Sequence, residues 1–409
     1  MKDPLGEVVV RPRRVVPIIL AVLALIVVGA ILRPGLTATI AVVASLLVMI
    51  FLHELGHFVM AKRAGMKVTE FFVGFGPRLW SVRRGETEYG VKAFPLGGYC
   101  RIVGMSNLEE IEPEDEPRTY RSKAFHQKLG VAVAGSFTHF VIALVLVFLV
   151  LWQSGDPFDD RVDPSVTNVQ SDSAAAAAGI EPGDDILAVD GEPVSAWEDV
   201  VAAIQASPDE PVSIVVDRGG ERLTLEATPT EREVDGETIG YLGVSPRVYT
   251  VPLSLPEAAP RSFVVLGRVA RLNVEALGEI FSPSGIERYF NALSGSEAAE
   301  DQETRFVSPV GITRVAGEAV RSGWVDVLLL LVAVNVFVGI FNMIPLLPFD
   351  GGYVAIAIYE KIASTVRHRP VQADVRKLLP ITVAVVTLLV FIGLSALFLD
   401  IVNPLRFPS

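Results

Sequence analysis

The sequence predicts an α-helical polytopic membrane protein with a soluble α+β domain inserted between its spans. Three observations carry that reading. The 409 residues are 51% hydrophobic with a mean hydropathy of +0.46, which argues against a fully soluble chain. The apolar residues are gathered into long stretches almost free of charge, separated by densely charged ones, as in spans joined by polar segments. All 8 lysines fall in three short segments. The apolar content excludes a disordered chain, and the formal net charge of −12 argues against a nucleic-acid partner. A single cysteine, Cys100, excludes an intramolecular disulfide and a cysteine metal cluster.

A bilayer crossing needs ~20 apolar residues, and four stretches supply them comfortably: Leu36–Ala61, Leu129–Trp152, Val325–Phe349 and Leu378–Ile401. A fifth, Val15–Leu32 in the N-terminal segment 1–35, has two readings. Its basic start (Arg11, Arg13, Arg14) and its end near Val28-Gly29-Ala30 suit a secretory signal peptide. Its length, and the turn Arg33-Pro34-Gly35 that follows, suit a retained helix, which is the reading adopted. On either reading the second span starts outside the cytoplasm.

Lysine and arginine set the orientation. Segments 1–14, 61–128 and 351–377 hold all the lysines and 21 of the 35 Lys+Arg, so they are expected in the cytoplasm. Segment 153–324 has no lysine, 12 arginines and 30 acidic residues, a net of −18, and is expected outside. The organisation that follows is a span 36–61, a cytoplasmic region 62–128, a span 129–152 and an outside region. A span 325–350, a cytoplasmic loop 351–377 and a last span 378–401 complete it.

Residues 160–245 read as the inserted domain. Val166–Val169 is a short strand, and Ala174–Ala178 is a helical turn ended by Gly179. Glu181-Pro-Gly-Asp-Asp185 is a turn, Ile186–Val189 a strand, and Trp197–Gln205 has helical spacing of apolar residues. Val212–Val216 and Leu223–Ala227 form a hairpin about Gly219-Gly220. This order, with the string Ala178-Gly-Ile-Glu-Pro-Gly-Asp-Asp-Ile, resembles a PDZ domain, which pairs an extended peptide onto a sheet edge. Substrate gating and a spacer without a peptide are both readings of it. In the remaining outside linker, 246–324, Phe263–Phe281 suits an amphipathic helix on the membrane surface, while Gly295–Glu303 is acidic.

The chemistry is concentrated in the second span, at His53-Glu54-Leu55-Gly56-His57. Histidines at i and i+4 share one helix face and can reach one Zn²⁺ at ~2.0–2.1 Å. Glu54 stands beside the first ligand, where a general base for a metal-bound water is needed. Ionisable groups inside a span are functional by default. Zinc then lacks a third protein ligand. His126, His139 and His368 are the other histidines, but Asp350 is the better candidate. It follows Asn342-Met-Ile-Pro345-Leu-Leu-Pro348-Phe, whose prolines break the helix where a polar cavity would tolerate it. Counting from the outside end of each span, His53 comes 17 residues in, His57 comes 21 in and Asp350 comes 25 in, so all three fall in the cytoplasmic third of the bilayer. A glutamate as third ligand would make the chain another kind of membrane zincin.

The two motifs together resemble those of the site-2 protease family of intramembrane zinc metalloproteases. Phe71–Pro77 and Tyr89–Tyr99 are similar to that family's β-hairpin, which dips into the membrane from the cytoplasmic side, and Ser308-Pro-Val-Gly-Ile312 is similar too. The resemblance covers residues 36–409 and implies His53, His57 and Asp350 as zinc ligands and Glu54 as the catalytic carboxylate. It also implies Asn342, and Gly97, Gly98 and Tyr99 of the hairpin, as substrate-binding residues. In place of the family's usual G-P-x-x-N, the span after the hairpin reads Gly135-Ser136-Phe137-Thr138-His139. His139 could take over contacts to substrate, crowd the metal, or serve as a helix-interface histidine. The implied substrates are single-span membrane proteins, such as pre-trimmed anti-sigma factors or signal-peptide remnants, with the lipid bilayer and an upstream site-1 protease as partners and no nucleic acid. The rival class is a membrane-anchored PDZ scaffold whose metal site is inactive.

Overall fold

The computed structural model describes residues 34–105, 109–159, 161–234, 237–294 and 306–402. The expected first span Val15–Leu32 and the acidic stretch Gly295–Glu303 lie outside the described residues. The described chain forms two compact units. One holds the long helices, the other is Leu151–Ala258.

In the helical unit, α1 (Pro34–Arg63), α2 (Phe125–Ser154), α8 (Trp324–Phe341) and α10 (Leu379–Val402) are the main rods. Among the described residues, four helices are long and apolar enough to cross a membrane: Val42–Arg63, Phe125–Ser154, Trp324–Phe341 and Val375–Val402. Leucine, valine and alanine runs let these stretches close their backbone bonds within themselves, as hydrocarbon requires, and Pro380 stands at the second residue of α10, where its missing N–H has no helical partner to lose. α1 stops at Lys62-Arg63, cations that suit a helix C-terminus, and Gly65 takes the left-handed φ of 66° that closes it.

β1 (Val68–Arg84) and β2 (Thr87–Ile102) follow as one antiparallel ribbon. Residues 70–73 pair twice, with 98–101 on one side and with 88–91 on the other, so the ribbon folds back across itself. Phe71 packs edge-on to Phe51 and Phe58 of α1, and Met66 joins Ala61, Val68, Ile102, Tyr120 and Val131 in a buried core. At the ribbon's turn, Glu86 bonds Arg118 at 2.8 Å and Lys62 at 2.5 Å. The Arg118 guanidinium, with Lys62 beside it, draws the Glu86 carboxyl down to about 2. Beyond the ribbon, Glu109 accepts from the Gly104 amide and Arg101, and Asp115 accepts from Lys67, so these two carboxylates are bonded to the ribbon and its flanks.

Two elements differ from the sequence expectation. The third core span ends at Phe341, eight residues short of Phe349, because Pro345 has no N–H and its ring would clash with the carbonyl four residues back, at Phe341. Residues 351–377, expected as a loop, hold most of α9 (Asp350–Arg367). Its apolar residues are mixed with polar ones, so charge counting alone reads the segment as a loop. Lys128 of α2 pairs with Glu360 of α9 at 2.9 Å. Elsewhere in this unit α5 (Leu255–Ile280), with its exposed Phe263 and Val264, covers the expected amphipathic stretch, and α6 (Pro283–Ser294) follows. Asp400 of α10, 0% exposed, accepts the Ser308 and Gly311 amides at 2.7 and 3.1 Å. It thereby caps α7 (Pro309–Ser322).

The other unit is the inserted α+β domain. Its strands are β3 (Arg161–Val169), β4 (Asp185–Val189), β5 (Glu192–Pro193), β6 (Val212–Arg218), β7 (Glu221–Ala227) and β10 (Val244–Tyr249). They form one sheet in the order β10-β3-β4-β6-β7, with β5 on β4. β8 (Thr230–Val234) and β9 (Glu237–Tyr241) make a separate hairpin. α3 (Ala174–Ala178) and α4 (Trp197–Gln205) match their sequence expectations residue for residue. The core is Ile186, Val189, Val200, Ile204, Ile214 and Val216 with their neighbours. Beneath it Asp184, 0% exposed, accepts two bonds from Arg218 at 2.7 and 2.8 Å.

The Asp184 carboxyl is held below the usual range, first by the Arg218 hydrogen bonds. A depressed carboxylate stabilises the fold above its unfolded pKa and loses that contribution as pH falls through the folded value. Arg218→Ala in the full-length protein is expected to speed amide exchange of β4 and β6 roughly tenfold at pH 7. The difference from wild type should shrink below about pH 4. Equal exchange at pH 7 would show that the pair does not hold the domain.

Candidate metal centre

His53 and His57 lie one turn apart on α1, both nearly buried, with their Nε2 atoms 3.3 Å apart. The Val131 carbonyl accepts from His57 Nδ1 at 2.8 Å. That bond puts the proton on Nδ1 and leaves Nε2 as a lone pair. His53 Nδ1 faces the Gly135 backbone without a hydrogen bond of standard geometry. Asp350 opens the first turn of α9, and its Oδ2 stands 3.5 Å from His53 Nε2 and 3.3 Å from His57 Nε2.

These three atoms form a triangle with edges of 3.3, 3.5 and 3.3 Å. Tetrahedral zinc with bonds of about 2.0–2.1 Å sets its ligand atoms about 3.3 Å apart. Asp350 Oδ2 is buried and has no hydrogen-bond partner. Two imidazole lone pairs and a carboxylate oxygen turned toward one point repel unless a cation lies among them, so the residues fit the metal. Among the described residues, this is the group of three whose ligand atoms all lie within 4.8 Å of one another. No glutamate belongs to it, and neither do His126, His139 and His368.

Neighbouring elements shape the centre. α2 crosses α1 at Gly135, where a Cβ would stand 2.4 Å from His53 Cε1 and 2.5 Å from His57 Nε2. Only a glycine fits there. Glu54 is turned to β2: a Cβ on Gly98 would stand 2.8 Å from its Cγ. Gly98 pairs with Val73, and Gly97 lies under the Phe75 ring. Tyr99 stacks on Phe72 and Phe75 and donates to Glu70 at 2.5 Å. Asn342 caps the end of α8, and its carbonyl accepts the Gly351 amide at 2.8 Å, which ties the end of one helix to the start of the one that carries Asp350.

His139 is buried with its ring 5.1 Å from that of His53. It bonds Asn335 of α8 at 2.9 Å. Sequence reasoning passed over Asn335 and used Gly135 only as part of a departing motif. The signal for Asn335 was a polar side chain in an apolar span, seven residues before Asn342.

A helix carrying two histidines and a glutamate, with an aspartate from a second helix closing the triangle, is the construction of a zinc metalloprotease. A family model described as Peptidase family M50 matches residues 41–391. The zinc metalloprotease Rip1 of Mycobacterium tuberculosis is 35% identical over 395 residues, which covers 88% of this chain and 96% of that one. Rip1 of Mycolicibacterium smegmatis is 35% identical over 402 residues, with the same two shares. The chain therefore belongs to peptidase family M50, and it is the zinc-dependent site-2 protease that its motifs imply. Among solved structures, the PDZ domain of an SdrC-like protein from Listeria monocytogenes matches at 23% identity over 21% of this chain and 86% of that one. Its TM-score is 0.18, too low to carry an argument about the inserted domain.

Gly135→Ala should drive a methyl into both imidazoles, and purified protein is expected to lose most of its zinc, roughly tenfold in affinity or more. Metal analysis checks it; full zinc content in this variant would show that the helices move apart freely at Gly135.

Proposed function

We propose that this protease cleaves single-span membrane proteins, such as pre-trimmed anti-sigma factors or signal-peptide remnants, after an upstream site-1 protease has shortened them. The observation that supports this most is the closed His53–His57–Asp350 triangle inside apolar helices, with Glu54 between the triangle's helix and a β-strand. His53, His57 and Asp350 hold the metal. When bound, zinc supplies Lewis acidity and an activated water. Glu54 takes the proton from the attacking water and hands it to the leaving nitrogen.

A helical substrate hides its carbonyls in its own hydrogen bonds, so it has to be unwound before attack. The ribbon segment at Gly97, Gly98 and Tyr99 serves as the template onto which an extended substrate adds as a strand. Asn342 helps hold the substrate or the developing oxyanion. The lysine distribution supports a cytoplasmic ribbon and an inserted domain outside the cytoplasm, in a multi-pass plasma or inner-membrane protein. In this reading the inserted domain is PDZ-like and gates the approach of substrates. The scaffold reading has no observation of its own, because a relic site has no reason to keep three ligands in register.

Glu54→Gln keeps the size of the side chain and removes its basicity. It is expected to retain about one zinc per chain and to lose at least ~10²–10⁴-fold in cleavage of a single-span substrate. Metal analysis and a cleavage assay in detergent test this together. Wild-type cleavage rates in the zinc-loaded variant would remove Glu54 from the chemistry.

A further inference from the structure

We propose that His139 and Asn335 form a substrate-binding pair in which Asn335 locks His139 into the Nδ1–H tautomer and His139 Nε2 accepts a backbone N–H of the substrate. The inference rests on the proposed protease reading and assigns a chain-specific subsite to it. Asn335 is 0% exposed, and its amide nitrogen is turned to two acceptors, the Leu331 carbonyl at 2.7 Å and Met49 Sδ at 3.3 Å. Flipping the amide would set its oxygen against that carbonyl and that sulfur, so Oδ1 must face His139. An oxygen there accepts only, so the proton of the 2.9 Å bond sits on His139 Nδ1. In the neutral ring Nε2 is then the lone pair.

That lone pair belongs to a ring that lies beside the His53–His57–Asp350 group. The His139 ring lies 5.1 Å from the His53 ring, yet it contributes no nitrogen to the ligand triangle. Asp350 Oδ2 and both ligand Nε2 atoms face the metal position, and the Glu54 carboxylate carries the proton of the reaction. An extended peptide laid across the centre brings backbone N–H groups into a place with little water, and each needs an acceptor. His139 Nε2 offers one such acceptor beside the centre. The substitution of His139 for the asparagine expected at that place then keeps a donor for Asn335 and moves the acceptor one ring farther from α2.

The test uses the zinc-loaded full-length protein and two probes, acetohydroxamate, which binds metal alone, and a dipeptidyl hydroxamate, which adds backbone amides. His139→Leu is expected to weaken the peptidyl probe about tenfold and to leave acetohydroxamate unchanged. His139→Asn, which keeps a donor for Asn335 and an acceptor beside it, is expected to stay within about threefold of wild type and guards against a folding defect. N-methylating the peptidyl probe's amides should weaken it in wild type and have no further effect in His139→Leu. Selective ¹⁵N-histidine spectra should show a protonated Nδ1 and a bare Nε2 at His139, and a tautomer mixture in Asn335→Leu. Unchanged peptidyl affinity in His139→Leu, or a bare Nδ1 in wild type, overturns the proposal. Parallel loss of acetohydroxamate binding and zinc would overturn it by making His139 a support of the metal. Failure of both probes on zinc-loaded wild type would instead count against the protease reading itself.

Discussion

Three lone-pair atoms, from His53, His57 and Asp350, converge to within 3.5 Å of one another inside a bundle of apolar helices. In water such a cluster would be unremarkable; away from water it is tolerable only around a cation. Most of the helical unit can be read as meeting that condition. Gly135 lets α2 lie close enough to wall the site, the Val131 carbonyl fixes the tautomer of His57, and the break after Phe341 frees the chain to present an aspartate instead of another apolar turn.

These three side chains come from segments almost three hundred residues apart, so their register has to be set by the scaffold. It is fixed at the start of α9 and again past its middle. At its start the Gly351 amide is bonded to Asn342, and Gly351 is backed against the Met343 and Ile344 carbonyls with no room for a side chain. Ten residues on, about 15 Å along the axis, Glu360 is paired with Lys128 near the start of α2. The pair is shielded, with side chains 10% and 14% exposed, so removing one partner would strand the other charge. Helix α2 thus touches the centre twice, directly through Gly135 and indirectly through α9.

Much of this was legible in the sequence. The helix spacing of His53 and His57, and the prolines before Asp350, translate directly into local geometry, and the α3 and α4 boundaries followed from a glycine stop and a 3.6 period. Three things were not legible. The end of the third core span was placed at Phe349 because hydropathy runs on past the point where Pro345 stops the helix. α9 was hidden because a helix with a mixed polar and apolar surface fails a test built for spans. The bond between His139 and Asn335 joins residues 196 apart, and no local pattern encodes which buried polar side chains will meet. The role of Gly135 belongs to the same kind, since a close approach is a property of two helices.

Asp400 adds a constraint in time. A carboxylate in a span costs up to about 3 kcal/mol at mid-bilayer, less toward a helix end, until it finds a partner. Its partners, the Ser308 and Gly311 amides and the Arg314 side chain that donates to its carbonyl at 2.6 Å, all precede it in the chain. They have been synthesised before the last helix leaves the ribosome. The final span can therefore settle against α7 as it enters the membrane, and the order of synthesis matches the order in which the buried charge needs its donors.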